Sequence, residues 1–138
     1  GVFLKQKINK KPFTIVGNGR QKRDFVHVSD VSDVFYKCLD KNIIDDTFNI
    51  GYGIPHSINY LTDLIKGKKI YLPKRPGEPD ITHADIDKSK KKIKWRPHIN
   101  LKSGIKDVLK NIDYWKNATL WDKKSIKKAT KNWFKYLK

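Results

Sequence analysis

The sequence predicts a mixed α/β fold built from short strands and amphipathic helices. Runs of β-branched and aromatic residues bounded by glycine or proline predict strands, as at residues 13–16 and 69–72. Other stretches carry apolar residues at three- and four-residue spacing, as at residues 58–65, which is typical of helices with one buried face. A strand, a helix and a second strand are predicted in succession between residues 25 and 50, the order of a βαβ unit.

The first predicted elements are a helix, a strand and a glycine turn. Apolar residues within positions 2–8 predict the end of a helix that closes before Pro12. The strand at 13–16 follows, and Gly17 and Gly19 predict a turn that adopts positive φ.

The predicted βαβ unit begins with a strand over residues 25–28. Ser29 or Asp30 is expected to cap the helix that follows. One face of that helix is predicted to carry Val31, Val34, Phe35 and Cys38. Residues 47–50 predict a short buried strand that ends at two nearby glycines.

The second half of the chain is predicted to be mostly helical. Ser57 is a predicted N-cap, and Asp87 is expected to cap a short basic helix that runs to Lys92. Residues 105–115 predict one long amphipathic helix. A last helix over residues 126–137 is expected to be capped by Asp122.

Between the helices at 58–65 and 87–92, residues 73–80 form a proline-rich loop. Prolines on both sides of Gly77 restrict its backbone, so the loop is expected to be stiff. Stiff loops on a rigid scaffold often hold a ligand.

The βαβ unit alone has too few strands for a complete doubly wound sheet. A βαβ unit without neighbouring strands exposes its edges and faces. We therefore expect the chain to be part of a larger fold, or to form a homodimer or exchange segments with a second copy.

Composition limits the possible partners and compartments. The net charge of +17 allows a basic module that binds nucleic acid or another polyanion. However, 27 of the 31 basic residues are lysines spread along the chain, and this pattern is more typical of a solvated surface. No apolar run is long enough to span a membrane, and no secretory signal is apparent. The single cysteine, Cys38, excludes an internal disulfide, and a cytoplasmic location is expected by default.

The common catalytic and metal-binding patterns do not occur in the sequence. It contains no phosphate-binding P-loop, no GxSxG elbow, and no HExxH or CxxC motif. The glycine turn fails the GxGxxG dinucleotide pattern, because position 22 is lysine and a strand follows. The four histidines lack ligand partners at metal spacing. We therefore assign no catalytic, cofactor-binding or metal-binding residue.

Two of the four arginines are candidate anion binders. Arg23 follows the glycine turn, and Arg75 lies in the proline-rich loop three residues before Glu78. Two guanidinium groups on rigid loops could clamp a diphosphate, with the carboxylate accepting hydrogen bonds from a sugar hydroxyl. Alternatively, Arg23 pairs with Asp24 or another surface carboxylate, and Arg75 caps a helix end. The residue pattern favours neither reading.

An ordered set of motifs resembles the C-terminal half of nucleotide-sugar epimerases and dehydratases. The motifs are GNGRQKRDFVHVSDV, TFNIGYG, SINYLTDLI and PKRPGEPDITHADIDKSKKKIKWRP, in that order. These enzymes are extended short-chain dehydrogenases/reductases that bind NAD on an N-terminal Rossmann domain, and UDP-glucose 4-epimerase is the best-known member. The resemblance implies a C-terminal substrate-binding subdomain plus the last βα elements of a Rossmann domain whose main part is missing. Residues 1–116 would form this part, with about 29–51 returning to the Rossmann side.

The resemblance also implies roles for individual residues. Arg23 and Arg75 would contact the diphosphate of a UDP-sugar or another NDP-sugar, and Glu78 would contact a ribose hydroxyl. Thr14 and Val16 would line the base. The implied reaction is 4-epimerisation of a UDP-sugar, with 4,6-dehydration or a related reduction as the alternative.

The chain departs from the family pattern in two respects. The glycine-rich NAD loop and the Tyr-x-x-x-Lys catalytic pair are absent, so NAD is expected on the missing part and this chain alone is expected to be inactive. Residues 117–138, with Trp121, Trp133 and Phe134, exceed the resemblance. We expect them to form a helical extension that packs on the missing half or on a partner.

Overall fold

The computed structural model describes residues 1–40, 43 and 45–137, and it confirms a mixed α/β fold. The strands are β1 (Phe13–Val16), β2 (Lys22–Arg23), β3 (His56–Ser57) and β4 (Lys69–Leu72). The helices are α1 (Val2–Ile8), α2 (Val28–Asp40), α3 (Ile58–Ile65), α4 (Asp87–Lys92), α5 (Leu101–Lys110), a 3₁₀ helix (Ile112–Trp115), α6 (Lys123–Ala129) and α7 (Lys131–Tyr136). In the described ranges, no helix is both long and apolar enough to cross a membrane.

Strands β1 and β4 form a parallel pair. The sequence patterns predicted each strand but not their pairing. Phe13 is opposite Lys69 and Val16 is opposite Leu72. The amide of Gly17 continues the ladder by donating to the Leu72 carbonyl at 2.8 Å. Because the strands are parallel, the glycine turn after β1 and the proline-rich loop after β4 leave from the same end of the pair. Ligands in open α/β sheets commonly bind at this carboxyl end.

Strand β2, which contains Arg23, is held by β3 and by the far end of the proline-rich loop. It pairs antiparallel with β3, so that Arg23 is opposite His56. Its Lys22 amide donates to the Asp80 carbonyl at 2.8 Å, and the Thr82 amide donates to the Lys22 carbonyl at 3.1 Å. The far end of the proline-rich loop is thereby fixed beside β2.

Two hydrophobic clusters stabilise the fold. The first lies under β1 and contains the buried residues Phe13, Leu61, Ile65 and Leu101. The second lies against α2 and contains the buried residues Val34, Ile86, Ile93 and Trp95. The first cluster holds the strand pair that ends at the loop, and the second holds the segment that follows it.

Asp30 joins α2 to the segment after α4 and is not the predicted N-cap. Helix α2 begins at Val28. The Asp30 side chain is only 3% exposed, and its two oxygens accept from the amides of His98 at 3.0 Å and Ile99 at 3.1 Å. Its carbonyl accepts from the Trp95 indole at 3.1 Å. Two amide hydrogen bonds stabilise this buried carboxylate more than a capping bond at the helix end would.

The predicted βαβ unit over residues 25–50 is wrong. Neither residues 25–28 nor 47–50 form a strand, and Val28 belongs to α2. Residues 47–50 alternate between exposed and half-buried, and no described segment pairs with them. Both stretches have strand-like composition, but a strand also requires a neighbouring backbone to complete its hydrogen bonds.

Helix α2 also has an exposed apolar side, and of the predicted apolar face only Phe35 lies on it. Phe35 is 70% exposed, and Val28, Tyr36 and Leu39 are similarly exposed. Val34 is buried and Cys38 packs against the second cluster, as predicted. This exposed apolar side agrees with the expectation that a missing part of the fold or a second copy covers it. Dimerisation itself stays a prediction.

The C-terminal helices are shorter than predicted. Helix α5 ends at Lys110 and is followed by Asn111, whose side chain donates to the Asp107 carbonyl at 3.3 Å. The last predicted helix is broken at Thr130, whose hydroxyl donates to the Ile126 carbonyl at 2.9 Å. Such side-chain bonds compete with the helical backbone. The caps Ser57 and Asp122 are confirmed, whereas Asp87 is the first residue of α4 and not its cap.

Candidate functional site

All five residues that the resemblance singled out lie around one cavity. The cavity has a volume of about 490 Å³, and its lining includes Thr14, Val16, Arg23, Arg75 and Glu78. They come from β1, the nearby β2 and the proline-rich loop, which begins about 50 residues later in the sequence. The geometry therefore brings together the whole predicted set.

Arg23 faces Glu78 across this cavity. Its Nη2 lies 3.3 Å from Glu78 Oε1, and the side chains are 23% and 22% exposed. The alternative pairing with Asp24 does not occur, because Asp24 is already bound to backbone. Its carboxylate accepts from the amides of Tyr52 at 2.7 Å, Gly53 at 3.1 Å and Ala84 at 3.2 Å. Arg23 is thus held by a carboxylate within the candidate site, not by its neighbour in sequence.

A tight turn places Arg75 and Glu78 on the same side of the loop. The Glu78 amide approaches the Arg75 carbonyl at 3.4 Å, with Pro76 and Gly77 between them. Gly77 has a φ of 72°, and Pro-Gly at the centre of such a turn is the type II signature. The loop is closed at its base by Lys74, which donates to Asp80 at 2.6 Å. This hydrogen bond is the main cause of the lowered pKa of Asp80.

Arg75 does not cap a helix end. Its guanidinium carbon lies 5.5 Å from the centre of the Trp133 ring. Its Nε is buried and has no hydrogen-bond partner among residues 1–40, 43 and 45–137. In addition, no carboxylate among the described residues forms an ion pair with the Arg75 guanidinium.

Thr14 and Val16 form the inner wall of the cavity. Thr14 is 6% exposed, and its hydroxyl accepts from Gln6 Nε2 at 2.7 Å. The Val16 carbonyl accepts from Gln21 Nε2 at 2.7 Å. Two glutamines thereby fix the strand edge that the resemblance assigned to the base.

The glycine turn is closed by α3 at Gly19, although Gly17 and Asn18 line a second cavity of about 600 Å³. A Cβ at Gly19 would lie 2.2 Å from the Asn59 side-chain oxygen. The Asn59 amide donates to the Gly19 carbonyl at 2.9 Å, and its side chain donates to the Asn18 carbonyl at 3.0 Å. The N-terminus of α3 fills the space that a dinucleotide loop would leave free. The turn is consequently a structural support for β2.

Sequence reasoning missed several residues that bind or line the walls of the site, among them Gln6, Gln21, Trp121 and Trp133. Trp121 and Trp133 line this cavity within the chain itself, and packing of the C-terminal segment on a missing half or a partner stays a prediction. One signal was available, since a glutamine within an apolar helix often binds a buried polar group.

The site has the chemistry of an anion-binding cleft with one hydrogen-bond acceptor. It offers two guanidinium groups, one carboxylate, a hydroxyl and apolar walls. Within the described residues, no three His, Cys, Asp or Glu side chains gather into a metal-binding group. Such a set fits a ligand with a phosphate, a hydroxylated sugar and a flat apolar part.

Comparisons with known proteins support this reading. The sequence profile of the family described as GDP-mannose 4,6 dehydratase matches residues 2–108. The UDP-glucuronate 4-epimerase of Thermodesulfobacterium geofontis is 32% identical over 132 residues, which cover 91% of this chain and 39% of that protein. A putative UDP-glucose 4-epimerase of Methanocaldococcus jannaschii is 37% identical over 114 residues, which cover 78% of this chain and 36% of that protein.

The fold is also similar to solved structures. The UDP-glucuronic acid 4-epimerase of Bacillus cereus, in complex with UDP-glucuronic acid and NAD, superposes with a TM-score of 0.73 at 32% identity. The match covers 80% of this chain and 38% of that one, so the chain spans little more than a third of the length of these relatives. Other relatives are named as a 2-epimerase, a reductase and a decarboxylase of nucleotide-sugars. With a profile match over most of its length, the chain belongs to the family of NAD-dependent nucleotide-sugar epimerases and dehydratases.

Proposed function

We propose that this chain forms the nucleotide-sugar-binding part of an NAD-dependent epimerase or dehydratase. The observation that carries the proposal is the gathering of Arg23, Arg75 and Glu78 with Thr14 and Val16 around one cavity. Residues 1–116 would make up this part, with about 29–51 returning to the Rossmann side and 117–138 as a helical extension. Lys138 of that extension lies outside the described residues.

Each wall of the cavity has a role in this proposal. Arg23 and Arg75 bind the diphosphate from two sides, because guanidinium forks match phosphate oxygens. Glu78 exchanges part of its pairing with Arg23 for a hydrogen bond from a ribose hydroxyl. Thr14 and Val16 pack against the base at the edge of β1.

The residues of this chain do not fit an NAD site. The only sequence candidate, the glycine turn, is filled by Asn59, and no Tyr-x-x-x-Lys pair occurs. NAD is bound by solved relatives, and we propose that the complete protein holds it on residues beyond this chain. No hydride step is therefore assigned to the present residues.

We favour 4-epimerisation of a UDP-sugar as the reaction of the complete protein. Two similar relatives are named as 4-epimerases of UDP-glucuronate and, putatively, of UDP-glucose. The alternative is 4,6-dehydration or a related reduction of an NDP-sugar. The substrate is then expected to be oxidised at one sugar carbon, while this chain holds the nucleotide.

Calorimetric titration of the chain with nucleoside diphosphates tests the proposal. Because every wall described above belongs to this chain, we expect UDP to bind with a Kd below about 1 mM, a free energy near −4 kcal/mol. UDP-glucose is expected to bind about as tightly as UDP, since the five residues contact only the nucleotide. A panel of dTDP, CDP, GDP and ADP identifies the preferred base. Absence of binding by every member at ~5 mM would refute the proposal.

A basic nucleic-acid or polyanion-binding module remains the alternative of another class. It predicts affinity for generic DNA or RNA that falls steeply as salt rises, because bound counterions are released. Binding to the cavity predicts a shallow salt dependence and competition by free UDP. Titration of a fluorescent single-stranded oligonucleotide at two salt concentrations, with and without UDP, separates the two functions.

A further inference from the structure

The C-terminal helices are bound to the candidate site at three points. The Trp133 indole Nε1 donates to the Pro76 carbonyl at 2.7 Å. Its ring lies under the Arg75 guanidinium, with 5.5 Å between the guanidinium carbon and the ring centre. At the other end of the segment, the Trp121 carbonyl accepts from Gln6 Nε2 at 2.6 Å, and Gln6 also binds Thr14.

These contacts make the segment a wall of the cavity. Its lining residues from this segment are Trp121, Ile126, Ala129, Thr130 and Trp133. The matched family profile ends at residue 108, so this wall is built by residues beyond that match. Of this wall, Trp133 lies beside the Arg75 guanidinium.

The position of the Trp133 ring suits it to support the Arg75 guanidinium. A guanidinium that stacks on an aromatic ring is bound through its face, so its N–H groups stay free in the plane. An unsupported arginine loses considerable rotamer freedom when it binds a phosphate. The Trp133 indole is hydrogen-bonded to Pro76, the residue after Arg75, and this contact brings the ring next to the Arg75 side chain.

We propose that Trp133 is a positioning residue for nucleotide-sugar binding. It holds the Arg75 guanidinium toward the cavity and leaves the N–H groups available to the diphosphate. This inference rests on the proposed function, since Arg75 is taken to bind the diphosphate. Trp133 itself contacts no reacting atom.

The test compares two apolar replacements of Trp133, of which only one keeps an aromatic ring. Trp133→Phe and Trp133→Leu both remove the indole N–H and keep apolar bulk, but only phenylalanine keeps a ring face. UDP affinity is measured by calorimetry in the full chain, and folding is checked by circular dichroism. We expect Trp133→Leu to weaken UDP binding about three- to tenfold and Trp133→Phe to stay within about threefold of the unmodified chain. Tyr136→Leu is the matched control, because Tyr136 is 69% exposed on α7 and does not line the cavity.

The same pair in an Arg75→Ala background shows whether Trp133 acts through Arg75. We expect the difference between the leucine and phenylalanine variants to vanish there. A difference that persists in the Arg75→Ala background would overturn the inference while leaving the proposed function intact. Equal UDP binding by Trp133→Leu and Trp133→Phe in the chain that keeps Arg75 would do the same. Failure of the unmodified chain to bind any nucleoside diphosphate would overturn both.

Discussion

Replacement of Trp95 by alanine is expected to lower the free energy of unfolding by about 3–5 kcal/mol. Trp95 is fully buried in the second cluster, between Ile86 and Ile93 of the chain that follows the proline-rich loop. Its indole donates to the Asp30 carbonyl at 3.1 Å. The replacement therefore leaves a large cavity and removes one of the hydrogen bonds that join this segment to α2. Urea unfolding followed by circular dichroism measures the loss.

Two further variants make this result interpretable. Trp95→Phe keeps most of the ring volume and loses only the indole hydrogen bond, so we expect a loss of about 1–2 kcal/mol. Tyr114→Ala removes an aromatic ring that is 86% exposed and should change stability by less than about 0.5 kcal/mol. If Trp95→Ala and Tyr114→Ala had the same urea midpoint, the second cluster would not be the core that the structure describes.

The second large effect is expected from Arg23→Ala on nucleotide binding. Loss of a charge-assisted hydrogen bond costs about 1.5–3 kcal/mol, or roughly ten- to 150-fold in affinity. The replacement also removes the partner of Glu78 at 3.3 Å, which leaves a carboxylate unpaired beside the diphosphate. Calorimetry with UDP measures both contributions together.

A second substitution separates the two contributions. Arg23→Ala combined with Glu78→Gln removes the repulsive carboxylate, so we expect it to bind UDP more tightly than Arg23→Ala alone. Arg96→Ala is the matched control, since Arg96 is exposed and does not line the cavity. Equal loss of affinity in Arg23→Ala and Arg96→Ala would indicate that only the overall charge matters.

The local sequence pattern was sufficient to predict those strands whose hydrogen-bonding partners lie within this chain. Strands β1 and β4 were predicted from short apolar runs, and each provides the hydrogen-bonding partner of the other. Residues 47–50 have the same composition, but no described strand lies beside them. Strand formation depends on a neighbouring backbone, which composition does not reveal.

The polar anchors of the fold were equally hidden from the sequence. Asp24 and Asp30 each bind backbone amides from segments 28 to 69 residues away. Asp30 was predicted to be a helix cap because its position next to a helix start fits that role. The amides that compete for its carboxylate are brought there only by the folded chain.

The candidate site was recognised through a resemblance and not through spacing. Arg23, Arg75 and Glu78 are separated by up to 55 residues, and the residue pattern alone left ion pairing equally open. The structure adds Trp133 to the site. From the sequence alone, a tryptophan in a lysine-rich segment is easily taken for a residue that only packs at the surface. Its role depends on a contact with Arg75, 58 residues earlier, that local pattern does not encode.

The most direct test of the central claim follows the arginine side chains themselves. The chain has four arginines, so the Nε–Hε signals in a ¹H–¹⁵N spectrum can each be assigned by single substitution. On titration with UDP, the signals of Arg23 and Arg75 are predicted to shift together with one Kd, while that of Arg96 stays unchanged. If UDP bound while Arg23 and Arg75 did not shift, or if all four signals shifted in parallel, the assignment of the diphosphate to this cavity would be contradicted.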